Sequence, residues 1–111
     1  MSLGIKESDW KRFKEVHQIA MERFDQKCLQ EAEYHLTDKA KSATERFFEV
    51  RDIMRDRNKQ RATLFDDYRR STAWMQIAFM RAHKLITDEE MLRFSEDLQD
   101  RVAHFLQIAR G

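Results

Sequence analysis

The side chains whose chemistry could reach beyond packing are four histidines, one cysteine and six methionines. Imidazole is both a metal ligand and an acid or base near neutrality. His17, His35, His83 and His104 nevertheless do not gather into a site. His17 and His35 share one angular position on a helix but lie ~27 Å apart along its axis, too far for one ion to take both. A di-iron bundle needs Glu-x-x-His repeats, and no glutamate here is followed by histidine at that spacing. Glu31 with His35 and Asp100 with His104 are i,i+4 pairs of the kind that support a helix surface.

Met21, Met54, Met75, Met80 and Met91, with Cys28, are soft donors that would suit Cu(I). At helical spacing, methionine is first of all adaptable core filler. Cys28 falls on the apolar side of its helix, without a neighbouring base or a helix-start setting to stabilise a thiolate, so it reads as a packing residue. Asp66-Asp67 and Glu89-Glu90 face different sides of a helix, and the second pair suits a helix start. No residue is assigned a catalytic, cofactor-binding or metal-ligating role. The chain is expected not to be an enzyme and to need no cofactor.

The run Arg51, Arg55, Arg57, Lys59, Arg61, Arg69 and Arg70 could contact phosphates along a helix, which makes a small nucleic-acid-associated regulator the alternative function. Asp52, Asp56, Asp66 and Asp67 interleave it and cancel much of its field. No aromatic platform or helix-turn-helix pattern accompanies it. Arg51, Arg55, Lys59, Arg69 and Arg70 are therefore weak nucleic-acid candidates, and a solvated face is preferred. Arg57 and Arg61 differ, because they occupy seam positions where apolar residues are expected. Polar seam residues set register or partner choice at a cost in stability. Replacing both by leucine is expected to raise stability and loosen the specificity of assembly.

The elements that must hold these side chains are helices. Of 111 residues, 37% are charged and 41% hydrophobic, a balance typical of long helices. There is no proline, and the two glycines, Gly4 and Gly111, lie at the ends, so the punctuation of a β-rich fold is missing. The net charge of +1 gives no global field toward nucleic acid or anionic lipid. The longest apolar stretch, Trp74 to Met80, is interrupted by Gln76 and is far too short to span a bilayer. The N-terminus lacks the pattern of a secretory signal and the lone cysteine excludes an intrachain disulfide, so the expected location is cytoplasmic.

A single helical domain over 1–111 is expected, with residues 1–7 outside the fold and helices over about 8–36, 39–85 and 88–110. Ser8 reads as the first N-cap. Trp10, Phe13, Val16, His17, Ala20, Met21, Phe24, Cys28 and Ala32 then share one side. Thr37-Asp38 is the turn, with Ser42 and Glu45 as a capping box just beyond it. A heptad seam runs Ala40, Ala43, Phe47, Val50, Met54, Arg57, Arg61, Leu64, Tyr68, Ser71, Met75, Ala78, Ala82 and Leu85, which favours one continuous central helix ~70 Å long. Thr87-x-x-Glu90 is a capping box opening the third helix, whose apolar face carries Met91, Phe94, Leu98, Val102, Phe105 and Ala109.

Folding back at Thr37-Asp38 would bring Phe24 near Arg51, Cys28 near Phe47, and Trp10 near Leu64 and Phe65. Folding back at Ile86-Thr87 would bring Phe94 beside Phe79, Leu98 beside Met75 and Phe105 beside Tyr68. Each cross-section would then hold two helices, too thin a layer to enclose its apolar positions. The expected architecture is an all-α antiparallel bundle of three helices completed by homodimerisation. Arg57, Arg61, Tyr68, Trp74, Met75 and Phe79 are its interface or register candidates. The alternative is a monomeric four-helix bundle with a break near Asn58–Thr63. The leading function is a non-enzymatic helical interaction or scaffold module that self-associates and presents a helix face or groove to a protein partner. Nucleic acid and membrane are not expected partners.

Overall fold

The computed structural model describes residues 4–110, and in it every regular element is a helix. These are α1 (Glu7–Leu36), α2 (Ala43–Phe65), α3 (Ala73–Ala82), the single turn α4 (Asp88–Met91) and α5 (Glu96–Arg110). No helix among the described residues is long and apolar enough to cross a membrane.

Helix α1 opens with Glu7 and Asp9 in its first turn, where acids favour the dipole, and its N-cap is Lys6, not Ser8. Asp9 is only 3% exposed because it works at a distance: its carboxylate accepts from Ser95 N–H at 2.8 Å and from Ser95 Oγ–H at 2.6 Å. Ile5 is in the core and its carbonyl accepts from Arg70 Nε–H at 2.7 Å, so the fold begins earlier than residue 8. Of the segment 1–7 expected outside the fold, residues 1–3 lie outside the described residues.

The turn after α1 is wider than Thr37-Asp38. Ser42 is the N-cap of α2, accepting from Glu45 N–H at 3.1 Å while its own N–H donates to Glu45 Oε1 at 3.3 Å. The hairpin register is shifted too, by more than the added turn residues alone. Phe24 meets Phe65, with ring centroids 5.7 Å apart, instead of Arg51. Asp25 meets Arg61 and Glu31 meets Arg57.

The continuous helix over 39–85 does not form, and the break is not at Asn58–Thr63, which is helical. The chain leaves the helix at Asp66–Thr72. Asp, Ser and Thr offer the backbone local alternatives to helix, and tertiary contacts take up the ends. His17 Nε2 bonds the Phe65 carbonyl at 3.0 Å, Asp67 pairs with Arg69, and Tyr68 turns its ring onto Trp10, Phe13 and His17. Satisfying α2's last turn from α1 outweighs the heptad seam.

The break folds α3 back onto its own chain, where Ala73, Gln76, Ile77, Ala78 and Met80 are buried. It ends in a Schellman motif: Lys84 N–H donates to the Arg81 carbonyl and Leu85 N–H to the Met80 carbonyl, both at 2.9 Å, with Lys84 at φ 60°. The Thr87–Glu90 capping box forms as read, but α4 lasts one turn. The third helix is split because Ser95, held by Asp9, restarts the chain as α5 and accepts from Leu98 N–H at 3.3 Å. Arg23 of α1 ties this corner down, donating to both Glu90 oxygens at 2.6 and 2.9 Å and to the Leu85 carbonyl at 2.9 Å.

The radius of gyration, 17.0 Å, exceeds the about 13 Å of a compact domain this long. The excess is an arm. Helix α2 contributes only Leu64 and Phe65 to the core, and α1 contributes nothing beyond Cys28. The rest of the two helices projects as a hairpin, giving extents of 57 × 26 × 22 Å.

Candidate interaction surface

The arm is held in register by two bidentate ion pairs. Arg57 donates from Nε and Nη2 to Glu31 at 2.9 and 3.0 Å, and Arg61 does the same to Asp25 at 2.8 and 3.0 Å. The carboxylates hold both guanidinium pKa values further above the ordinary one. Nearer the tip, His35 Nδ1 lies 3.3 Å from Glu49 Oε2, Lys41 pairs with the same carboxylate, and Arg46 donates to the Leu36 carbonyl at 2.9 Å.

These pairs lie along the line where the helices meet, and the two sides of the hairpin differ. One side carries a groove of about 350 Å³ lined by Phe24, Asp25, Cys28, Leu29, Met54, Arg57, Asn58 and Arg61. The other carries a groove of about 270 Å³ lined by Phe24, Lys27, Cys28, Glu31, Arg57, Gln60, His83 and Leu85, where the end of α3 covers it.

Helical spacing extends each side along the arm. Leu36 lies two turns beyond Leu29, and Phe47 two turns before Met54, so these four share the first side. All are uncovered: Leu29 is 61% exposed, Leu36 56%, Phe47 67% and Met54 39%. Glu45, Glu49, Asp52 and Asp56 fall with Gln60 on the second side, which is charged along α2, while on α1 Tyr34, two turns beyond Lys27, is exposed there. The end of α3 thus meets the base of the second side, and no body residue lines the groove on the first. Cys28, at the base of both grooves, is buried, and desolvation pushes its thiol pKa up.

Comparison with protein-family models, curated proteins and solved structures gives no match for this chain. The site is therefore read from its own geometry.

Tyr68, Trp74, Met75 and Phe79, expected at an interface, sit in or around the body. Trp74 packs edge-on against Phe105 under the Arg101 guanidinium, Phe79 also meets Phe105, and Tyr68 packs on α1. Phe105 thus meets Trp74 and Phe79, not Tyr68, since the break moved α3. Within the chain Gln76, Ile77, Ala78 and Met80 are buried, and Trp74, Met75 and Phe79 are half-buried. Arg57 and Arg61 pair with Glu31 and Asp25 across the chain's own hairpin.

The basic run does not form one stripe. Arg51 donates to Asp52 at 3.0 and 2.9 Å, Arg55 lies 3.8 Å from the same carboxylate, Arg69 is held by Asp67, and Arg70 binds the Ile5 carbonyl. Lys59 is exposed on α2. The histidines are likewise dispersed: His17 is buried against Phe65, with a pKa lowered chiefly by desolvation, His83 lies near Gln60, and His104 is exposed.

Sequence reasoning missed the outward face of Leu29, Leu36, Phe47 and Met54. Phe47 and Met54 stood in the seam, but Leu29 and Leu36 fall off the apolar stripe of α1, and that departure was the available signal.

Proposed function

We propose that the chain is a non-enzymatic helical interaction module that self-associates through the outward side of its arm. The carrying observation is the set Leu29, Leu36, Phe47 and Met54, exposed together on one side of the hairpin, while the other side is charged along α2 and carries the exposed Tyr34 on α1. Contiguous exposed apolar patches of this kind mark interaction sites. Two hairpins packed on these sides make a four-helix cross-section, so homodimerisation completes the arm and leaves the body of each chain as it is. A cytoplasmic setting, in which the lone thiol stays reduced, suits this reading.

Sedimentation velocity tests it. The wild-type chain should sediment as a dimer at high concentration and dissociate on dilution, while Leu29→Glu with Phe47→Glu should remain monomeric with unchanged helical circular dichroism. A wild type that is monomeric throughout, or a double variant that dimerises equally well, overturns the proposal.

A further inference from the structure

We infer, building on that self-association, that the second copy lies parallel to the first, with α1 of each chain on α2 of the other and both bodies at the same end. Two arrangements about a twofold axis bring the outward sides together. An axis along the arm sets α1 on the other copy's α2. An axis across the arm sets α1 on α1 and α2 on α2, with the bodies at opposite ends.

The rims of the face distinguish them. Glu22 and Glu33 stand beside Leu29 on α1, one two turns before it and the other one turn after it, and both are exposed. Arg51 and Arg55 stand beside Phe47 and Met54 on α2, also exposed. One rim is acidic and the other basic, so the crosswise axis stacks like on like and the lengthwise axis stacks unlike charges. Like-charge juxtaposition at an interface is a strong discriminator.

A lengthwise axis also preserves height along the arm. The pairs Glu31–Arg57 and His35–Glu49 fix which levels of α1 and α2 coincide. Glu33 lies between them, level with Arg51 and Arg55 of the second copy. Leu36 comes level with the other Phe47, and Leu29 with the stretch from Met54 to Asn58. Arg51 and Arg55 reach Asp52 through exposed contacts, which are weak, and Arg51 also lies 4.7 Å over the Phe48 ring, so Glu33 of the second copy adds to or replaces these contacts. The end of α3, with His83 and Leu85, lines the opposite groove and so stands away from this docking face.

The face from Glu22 to Leu36 is about 22 Å long and, at ~10 Å per helix, about 20 Å wide. Two copies would bury on the order of 900 Å², below the range of stable specific interfaces and within that of transient ones, so the dimer should exchange readily with monomer.

Double electron–electron resonance on Lys11→Cys, spin-labelled in a Cys28→Ser background, reads the arrangement directly at concentrations where the chain is dimeric. Lys11 is exposed and lies about 27 Å along α1 from Leu29, near the middle of the face. The parallel dimer predicts a main distance of about 20 Å, the diagonal spacing of helices in a four-helix cross-section with the label linkers added. A dimer with a main distance of about 50 Å or more would overturn the parallel arrangement and leave self-association standing. A chain that gives no intermolecular distance, and sediments as a monomer, would overturn both.

Discussion

Arg61 of α2 grips Asp25 of α1 through two parallel hydrogen bonds of 2.8 and 3.0 Å, at the level where the projecting arm meets the body. Planar guanidinium and carboxylate match in this geometry, so the pair specifies register as well as contributing attraction. Both side chains are more than a third exposed, which limits their energetic weight. A double-mutant cycle with Asp25→Ala and Arg61→Ala should give a coupling of about 1 kcal/mol, read from urea denaturation. Leucines at Arg57 and Arg61, expected to raise stability, would also leave Glu31 and Asp25 without these partners and widen the apolar face, so association should become tighter and less selective.

The capping boxes at Ser42 and Thr87 were legible because their chemistry is local: a hydroxyl and a carboxylate three residues apart satisfy each other's backbone N–H groups. The all-helical class followed from the missing proline and interior glycine. The break at Asp66–Thr72 was not legible, because it depends on His17 reaching Phe65 and Tyr68 reaching Trp10, contacts that exist only once α1 and α2 have paired. Ser95 followed by Glu96 and Asp97 did carry the pattern of a helix start, overshadowed by an apolar face that continues on both sides of it. The outward face was half visible: Phe47 and Met54 stood in the seam, but the direction they face depends on how α1 and α2 pair, through Glu31–Arg57 and Asp25–Arg61.

Glu90 links α1 to α4, and its pKa is lowered from 4.5 to about 2, first by the Arg23 hydrogen bonds and against the desolvation of its site. A depressed carboxylate contributes stability that is present above its unfolded pKa and is lost as pH falls through the folded one. Stability should therefore fall between about pH 4.5 and 2. Glu90→Gln should cost about 2 kcal/mol at neutral pH and flatten the profile in that window. His17, whose pKa is lowered from 6.5 chiefly by burial, adds a separate loss beginning as pH drops below that value. Thermal melts across pH on the wild type, Glu90→Gln and His17→Gln separate the two.

Lys84 holds the left-handed position of the Schellman motif that ends α3, at φ 60°, where glycine is favoured because a Cβ is strained. Lys84→Gly should stabilise the chain by about 1 kcal/mol, seen as an upward shift of the denaturation midpoint at unchanged slope. No gain would mean that the lysine side chain offsets the strain through contacts of its own.

If Glu33 rests on Arg51 and Arg55 of a second copy, reversing either rim should weaken self-association. Glu33→Arg alone and Arg51→Glu with Arg55→Glu alone should each dimerise at least tenfold more weakly. Mixed together, the two variants should form a heterodimer in which every rim contact is again between unlike charges. Native mass spectrometry of the mixture checks this, and failure of the mixture to pair would remove the charge pattern as the basis of recognition.

The most direct test of self-association through the arm is small-angle X-ray scattering over a concentration series. The account predicts a mass rising from one chain toward two while the maximum dimension stays near the 57 Å of a single chain, since the two bodies lie side by side. A one-chain mass at every concentration, with a radius of gyration fixed near 17.0 Å, would contradict it.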